Sequence, residues 1–110
     1  MATSPNSSAS QVWLITGCSS GIGRDLVTAV LGRGDKVIAT ARQISDLEYI
    51  NSIDGGKDRA LAITLDVTEP YEQLRSKLDQ AVTHFGSINI LVNNAGFVVS
   101  GVWEELRYDF

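Results

Sequence analysis

The sequence is poor in several residue types on which function commonly rests. It holds one Cys and one His among 110 residues. One Cys cannot close an internal disulfide, and one Cys with one His cannot furnish the four ligands of a zinc site, so no metal is expected. Basic residues are outnumbered, nine against thirteen acidic, for a net charge of -4 and a pI near 4.7. A protein that lives by neutralising phosphates wants the reverse balance, which argues against DNA or RNA as a partner. No apolar run approaches the roughly 20 residues of a membrane span. The opening stretch, Met1 to Ser10, is polar and uncharged, without the basic and apolar parts of a secretory signal. What is present is ordinary globular composition, 44% hydrophobic and 20% charged, with ten Gly and two Pro. A soluble cytoplasmic protein with one modest core is the expectation.

Residues 1–10 read as a flexible tail and 11–110 as one domain. Within that domain, short apolar runs rich in Val and Ile predict strands over 12–16, 36–41, 60–66 and 88–93. Segments of helical spacing lie between them. The first, 21–33, aligns Ile22, Leu26, Val30 and Leu31, with Gly32 and Gly34 as stops. The second, 45–53, aligns Leu47, Ile50 and Ile53 and closes at Gly55 and Gly56. The third aligns Leu74, Leu78, Ala81, Val82 and Phe85; Thr68 is a candidate cap, Pro70 suits the first turn, and Gly86 ends it. Strands alternating with helices predict an α/β fold, a doubly wound parallel sheet with crossover helices. Its runs show little polar alternation, as expected where both faces are covered.

The stretch TGCSSGIG, residues 16–23, falls between the first strand and the first helix. Glycines there let the chain turn sharply, bring backbone N–H groups against a pyrophosphate and pack helix on strand. The helix start adds free donors and the positive end of its dipole, an anion site that needs no Lys. Ser19 or Ser20 can cap the helix or offer a hydroxyl to phosphate. The plainer alternative is a tight turn with no ligand. At the end of the second strand, where a carboxylate would bind the ribose 2′-hydroxyl of NAD, the chain reads Thr40-Ala41-Arg42. The planar fork of Arg42 suits a 2′-phosphate, favouring NADP over NAD, the alternative being a solvated surface Arg.

Taken together, these residues resemble the short-chain dehydrogenase/reductase family. TGCSSGIG has that family's TGxxxGxG spacing, and Asn93-Asn94-Ala95-Gly96 matches its NNAG motif after the fourth strand. Leu65-Asp66-Val67-Thr68 is similar to its third-strand ending, and Thr40-Ala41-Arg42 to its NADP-preferring members. The resemblance implies a Rossmann-type sheet of order 3-2-1-4. It implies cofactor contacts from Gly17, Ser19, Ser20, Ile22, Gly23, Thr40, Arg42, Asp66 (to adenine), Asn93, Ala95 and Gly96. It also implies hydride transfer between nicotinamide and a carbonyl or secondary alcohol, through a Tyr-x-x-x-Lys pair, a Ser and an Asn. That pair is lacking here: Ile53 stands four positions after Tyr49, Arg75 four after Tyr71, and Tyr108 is two residues from the end. The expectation is therefore the family's N-terminal, cofactor-binding half, truncated after the fourth strand, with no catalytic residue of its own and no turnover alone. A non-catalytic nucleotide-binding or interaction module, or a vestigial fragment, are the alternatives.

Three further expectations concern single features. Cys18, near a helix N-terminus, stands where a thiol pKa tends to fall, although a variable small residue explains it as well. His84 lies in the last helical turn, where partial positive charge is favourable. One helix cannot cover one whole face of four strands, and the fourth strand would offer an apolar edge, a surface for self-association.

Overall fold

Four short apolar stretches pair edge to edge in a single sheet. In the computed structural model, which describes residues 10–66 and 68–94, they are β1 (Val12–Ile15), β2 (Lys36–Ala41), β3 (Ala60–Thr64) and β4 (Ile90–Val92). Their order is β3-β2-β1-β4 and every pairing is parallel. Parallel neighbours require crossovers. These are α1 (Gly21–Gly32), a 3-10 helix (Ile44–Ser52) followed by the short α2 (Gly56–Arg59), and α3 (Tyr71–Phe85). Among the described residues no helix is long and apolar enough to cross a membrane.

Side chains alternate across a strand, so each strand feeds two cores. Val12, Leu14 and Ile38 point to the face covered by α3, where Leu78 and Ala81 meet them. Ile15, Val37, Ala39 and Ala41 point to the opposite face, against Val27, Val30 and Leu31 of α1 and Leu47 and Ile50 of the 3-10 helix. The first two crossovers thus lie on one face and the third on the other, as right-handed connections require. The central strands are the best buried. β3 and β4, at the two sides of the described sheet, are half-buried along their whole length.

Several local readings change. Ile22 is 69% exposed, and the buried side of α1 is Gly23, Val27, Val30 and Leu31, because the helix turns its glycine rather than its isoleucine inward, against the Gly17 backbone. The left-handed residue beyond that helix is Gly34 (φ +88), with Arg33 still near helical geometry. The segment expected as a second α-helix is a 3-10 helix because its apolar residues recur every three positions, at Ile44, Leu47, Ile50 and Ile53, matching three residues per turn. Gly55 (φ +82) then opens α2 instead of ending a helix. Pro70 is the residue before α3 rather than within its first turn, and Thr68 turns back to Asp66 rather than capping. The second strand has the expected limits, the first and third end one and two residues early, and the fourth is shorter at both ends, Ile88 preceding it as a buried core residue. The tail expected over residues 1–10 lies, except for Ser10, outside the described residues.

Candidate functional site

Because all four strands run the same way, their carboxyl ends share one edge of the sheet. The chain doubles back there, leaving β1 toward β2 on one side and β4 on the other, and such a switch point opens a crevice. The loop after β1 fills it. Gly17 (φ +68) and Gly21 (φ +61) take left-handed conformations that a side chain resists. Gly23 serves differently. A Cβ there would run into the Gly17 carbonyl and stand 2.9 Å from the Asn94 side-chain amide. The first turn of α1 is therefore seated directly on the loop backbone.

Three struts hold the loop. The Asn94 amide donates to the Gly17 carbonyl at 3.0 Å. The Cys18 N–H donates to the Thr40 carbonyl of β2 at 2.8 Å. The Tyr49 hydroxyl, on the 3-10 helix, donates to the Cys18 carbonyl at 2.7 Å. Tyr49 is itself overlaid by the Arg24 guanidinium, 4.3 Å from its ring centre. Beside the loop, the Thr16 hydroxyl donates to the Asn93 side-chain oxygen at 3.2 Å, tying β1 to the chain after β4.

The struts take carbonyls and one amide, and they leave the start of α1 facing outward. The first amides of a helix lack intrahelical acceptors, and no acidic residue sits in this first turn to neutralise them. Ser20 stands at the N-cap in extended conformation, but its hydroxyl makes no cap bond, and both Ser19 and Ser20 are exposed. This corrects the capping expectation and leaves two hydroxyls beside the open amides. The expectation for Cys18 is also reversed. It is fully buried, its thiol donates to the Ile15 carbonyl at 3.1 Å, and burial pushes its pKa up to about 11. Desolvation outweighs the backbone hydrogen bond with Thr40, which pulls the other way.

At the tips of β2 and β3 a second group gathers. Thr40 is buried, while the Arg42 side chain is 80% exposed. Its Nε lies 3.9 Å from Asp66 Oδ2, a long surface contact of little energetic weight. Asp66 Oδ1 accepts the Thr68 N–H at 2.9 Å and its hydroxyl at 2.8 Å. Those two bonds, with Arg42 and Lys77 adding charge, hold the Asp66 carboxyl below its usual range. Gly17, Ser19, Ser20, Thr40, Arg42, Asp66 and Asn93 thus share the carboxyl edge, with Ile22 and Gly23 in the adjoining first turn of α1. Ala95 and Gly96 lie outside the described residues, and among those described no three His, Cys, Asp or Glu side chains gather to hold a metal.

Glycine geometry, open amides, free hydroxyls and an exposed guanidinium fit an elongated anionic ligand with two phosphate positions. Sequence reasoning missed the supporting residues Tyr49, Glu69 and Lys77. Neither Lys77, at the border of the apolar stripe of α3, nor Tyr49 carried a local signal of its role.

Comparison with known proteins agrees with this geometry. The family model described as short chain dehydrogenase matches residues 11–109. An oxidoreductase of Botryotinia fuckeliana, BOA17, is 36% identical over 100 residues, covering 90% of this chain and 35% of its own length. The chain thus spans about a third of the curated relatives it matches. A short-chain dehydrogenase structure from Streptomyces avermitilis superposes with a TM-score of 0.69 at 40% identity, over 78% of this chain and 31% of the other. A 3-ketoacyl-(acyl-carrier-protein) reductase of Brucella melitensis, solved with NADH, gives 0.64 at 28% identity, over 74% and 32%. Sheet order, loop and sequence agree: the chain belongs to the short-chain dehydrogenase family of oxidoreductases, which bind a nicotinamide dinucleotide.

Proposed function

We propose that residues 11–110 form the NADP-holding part of an oxidoreductase that moves hydride between nicotinamide and a carbonyl or secondary alcohol. The observation that carries the choice of NADP is Arg42, exposed at the tip of β2 where an NAD site would hold a carboxylate. In this reading the loop amides around Gly17 and Gly23 and the hydroxyls of Ser19 and Ser20 receive the pyrophosphate. Ile22 covers it from the first turn of α1. Arg42 receives the 2′-phosphate, with Thr40 beneath it, and the Asp66 carboxylate, kept ionised, accepts from the adenine amino group. Asn93, after β4, borders the cofactor, and the family resemblance gives the same role to Ala95 and Gly96. The cofactor, when bound, supplies the hydride chemistry. These residues bind and orient it, and the proton-transfer pair Tyr-x-x-x-Lys does not occur within the 110 residues.

The reading is tested by titrating the chain with NADP+ and NAD+ calorimetrically. Arg42→Ala is expected to weaken NADP+ by about 1–3 kcal/mol, the loss of one charge-assisted contact, and to leave NAD+ unchanged. Equal weakening of both cofactors defeats the 2′-phosphate role.

A second reading, a module that associates with its own kind, draws support from β4, a three-residue strand half-buried throughout at the side of the described sheet. Strand edges of that kind attract another chain. Sedimentation across a hundredfold range of concentration should then give a rising mass. A constant monomer mass removes this reading.

A further inference from the structure

We infer that Glu69 and Lys77 are positioning residues for the adenosine end of the site, acting through the turn that carries Asp66. The inference rests on the dinucleotide reading above and assigns work to two side chains that reading leaves out.

Lys77 belongs to α3, which packs on the face of the sheet away from α1 and contributes nothing else to the candidate site. Its ammonium nevertheless reaches the carboxyl edge. It donates to the Thr64 carbonyl at 2.8 Å and to the Thr64 hydroxyl at 3.1 Å. It also meets Glu69, with Oε1 at 2.9 Å and Oε2 at 2.7 Å. An ammonium has three protons, and these partners use them all. The Thr64 carbonyl is a group that needs such a donor. Leu65 N–H bonds inward to Ala41, so the preceding residue presents its backbone away from β2, at the open side of the strand.

Glu69 passes the constraint on. Its Oε1 accepts the backbone N–H of Asp66 at 2.8 Å, and its own N–H donates to the Asp66 carbonyl at 2.9 Å. The Asp66 carboxylate then has Oδ1 fixed by Thr68, while Oδ2 is the oxygen near Arg42. One unbroken series therefore runs from the helix through Lys77 and Glu69 to the carboxylate proposed for adenine, and on toward the guanidinium proposed for the 2′-phosphate. The pair is sheltered, with side chains 32% and 16% exposed, so it resists screening better than the open Arg42–Asp66 contact. The Lys77 bond also holds the Glu69 carboxyl below its usual range, keeping it an acceptor through neutral pH.

The test uses the full 110-residue chain and two probes, adenosine 2′,5′-bisphosphate for the adenosine end and inorganic pyrophosphate for the loop. Lys77→Met is expected to weaken the adenosine probe roughly tenfold, about what one charged hydrogen bond contributes, and to leave pyrophosphate within about twofold. Glu69→Gln keeps the shape and an oxygen for the Asp66 N–H but loses the ion pair, so roughly a threefold loss on the adenosine probe alone is expected; it serves where the Lys77 variant does not fold. Unaltered affinity for the adenosine probe in a folded variant overturns the inference and leaves the dinucleotide reading standing. So does an equal loss on both probes, which is what general loosening produces. If the unsubstituted chain binds neither probe, the dinucleotide reading fails and the inference falls with it.

Discussion

Gly23→Val should destabilise the fold by roughly 3 kcal/mol, the upper end for overpacking, and abolish dinucleotide binding. The obstacle is already complete at the first carbon. A Cβ meets the Gly17 carbonyl, which is backbone and cannot swing away, and then the side-chain amide of Asn94. The two are bonded to each other, so moving either breaks a strut of the loop. Gly23→Ala makes the sharper test, because propensity alone predicts the opposite sign: Ala in place of Gly inside a helix should gain up to about 1 kcal/mol. A loss is expected instead. Gly32, in the same helix, has open space where its Cβ would go, and Gly32→Ala should show the gain. Urea midpoints of the three variants decide the matter, and a more stable Gly23→Ala would show that the close approach does not exist.

Alkali should unfold the chain earlier than its charge alone suggests. Cys18 ionises near 9.0 when exposed and near 11 when folded, and Tyr49 moves from 10.0 to about 12. Burial is the first cause in both. For Tyr49 the neighbouring thiolate opposes ionisation further, partly offset by Arg24. The folded state holds these protons longer than the unfolded one, so stability present below pH 9 falls as pH rises through 11 and 12. Cys18 accounts for on the order of 2–3 kcal/mol of that fall. The half-exposed Tyr49 adds less. Urea midpoints measured from pH 8 to 11.5 should decline accordingly, and Cys18→Ala should flatten the profile above pH 9. An unchanged slope in that variant would exclude the thiol as a source. The same burial makes Cys18 slow toward thiol reagents until denaturant is added.

How much of this was legible in the sequence depended on whether a signal was local. The strands and the loop were, because Val-rich runs alternate with helical spacing around TGCSSGIG, while the order 3-2-1-4 came from the resemblance to the family and not from the crossovers alone. The candidate positions along the carboxyl edge were placed for the same reason. Ile22 was misread because a single apolar stripe assumes one buried side, whereas α1 turns its glycine inward to reach the loop. The 3-10 helix was legible only in hindsight, from a step of three rather than 3.6. Cys18 was misjudged because a helix end is a local cue, whereas its desolvation comes from burial in a core that includes Val37, Ala39, Leu47 and Ile50, distant in sequence. The Lys77 brace joins residues eight and thirteen apart through a turn that composition does not reveal.

The bond from Asn94 to Gly17 closes a span of 77 residues. Contacts between such distant partners are slow to form, because the intervening chain must be ordered first. The loop is made early by the ribosome, yet its carbonyl must wait for the last described strand to emerge and dock. Competence to hold a ligand therefore arrives late and all at once, and an incomplete nascent chain displays the glycine motif without the shape that gives it meaning.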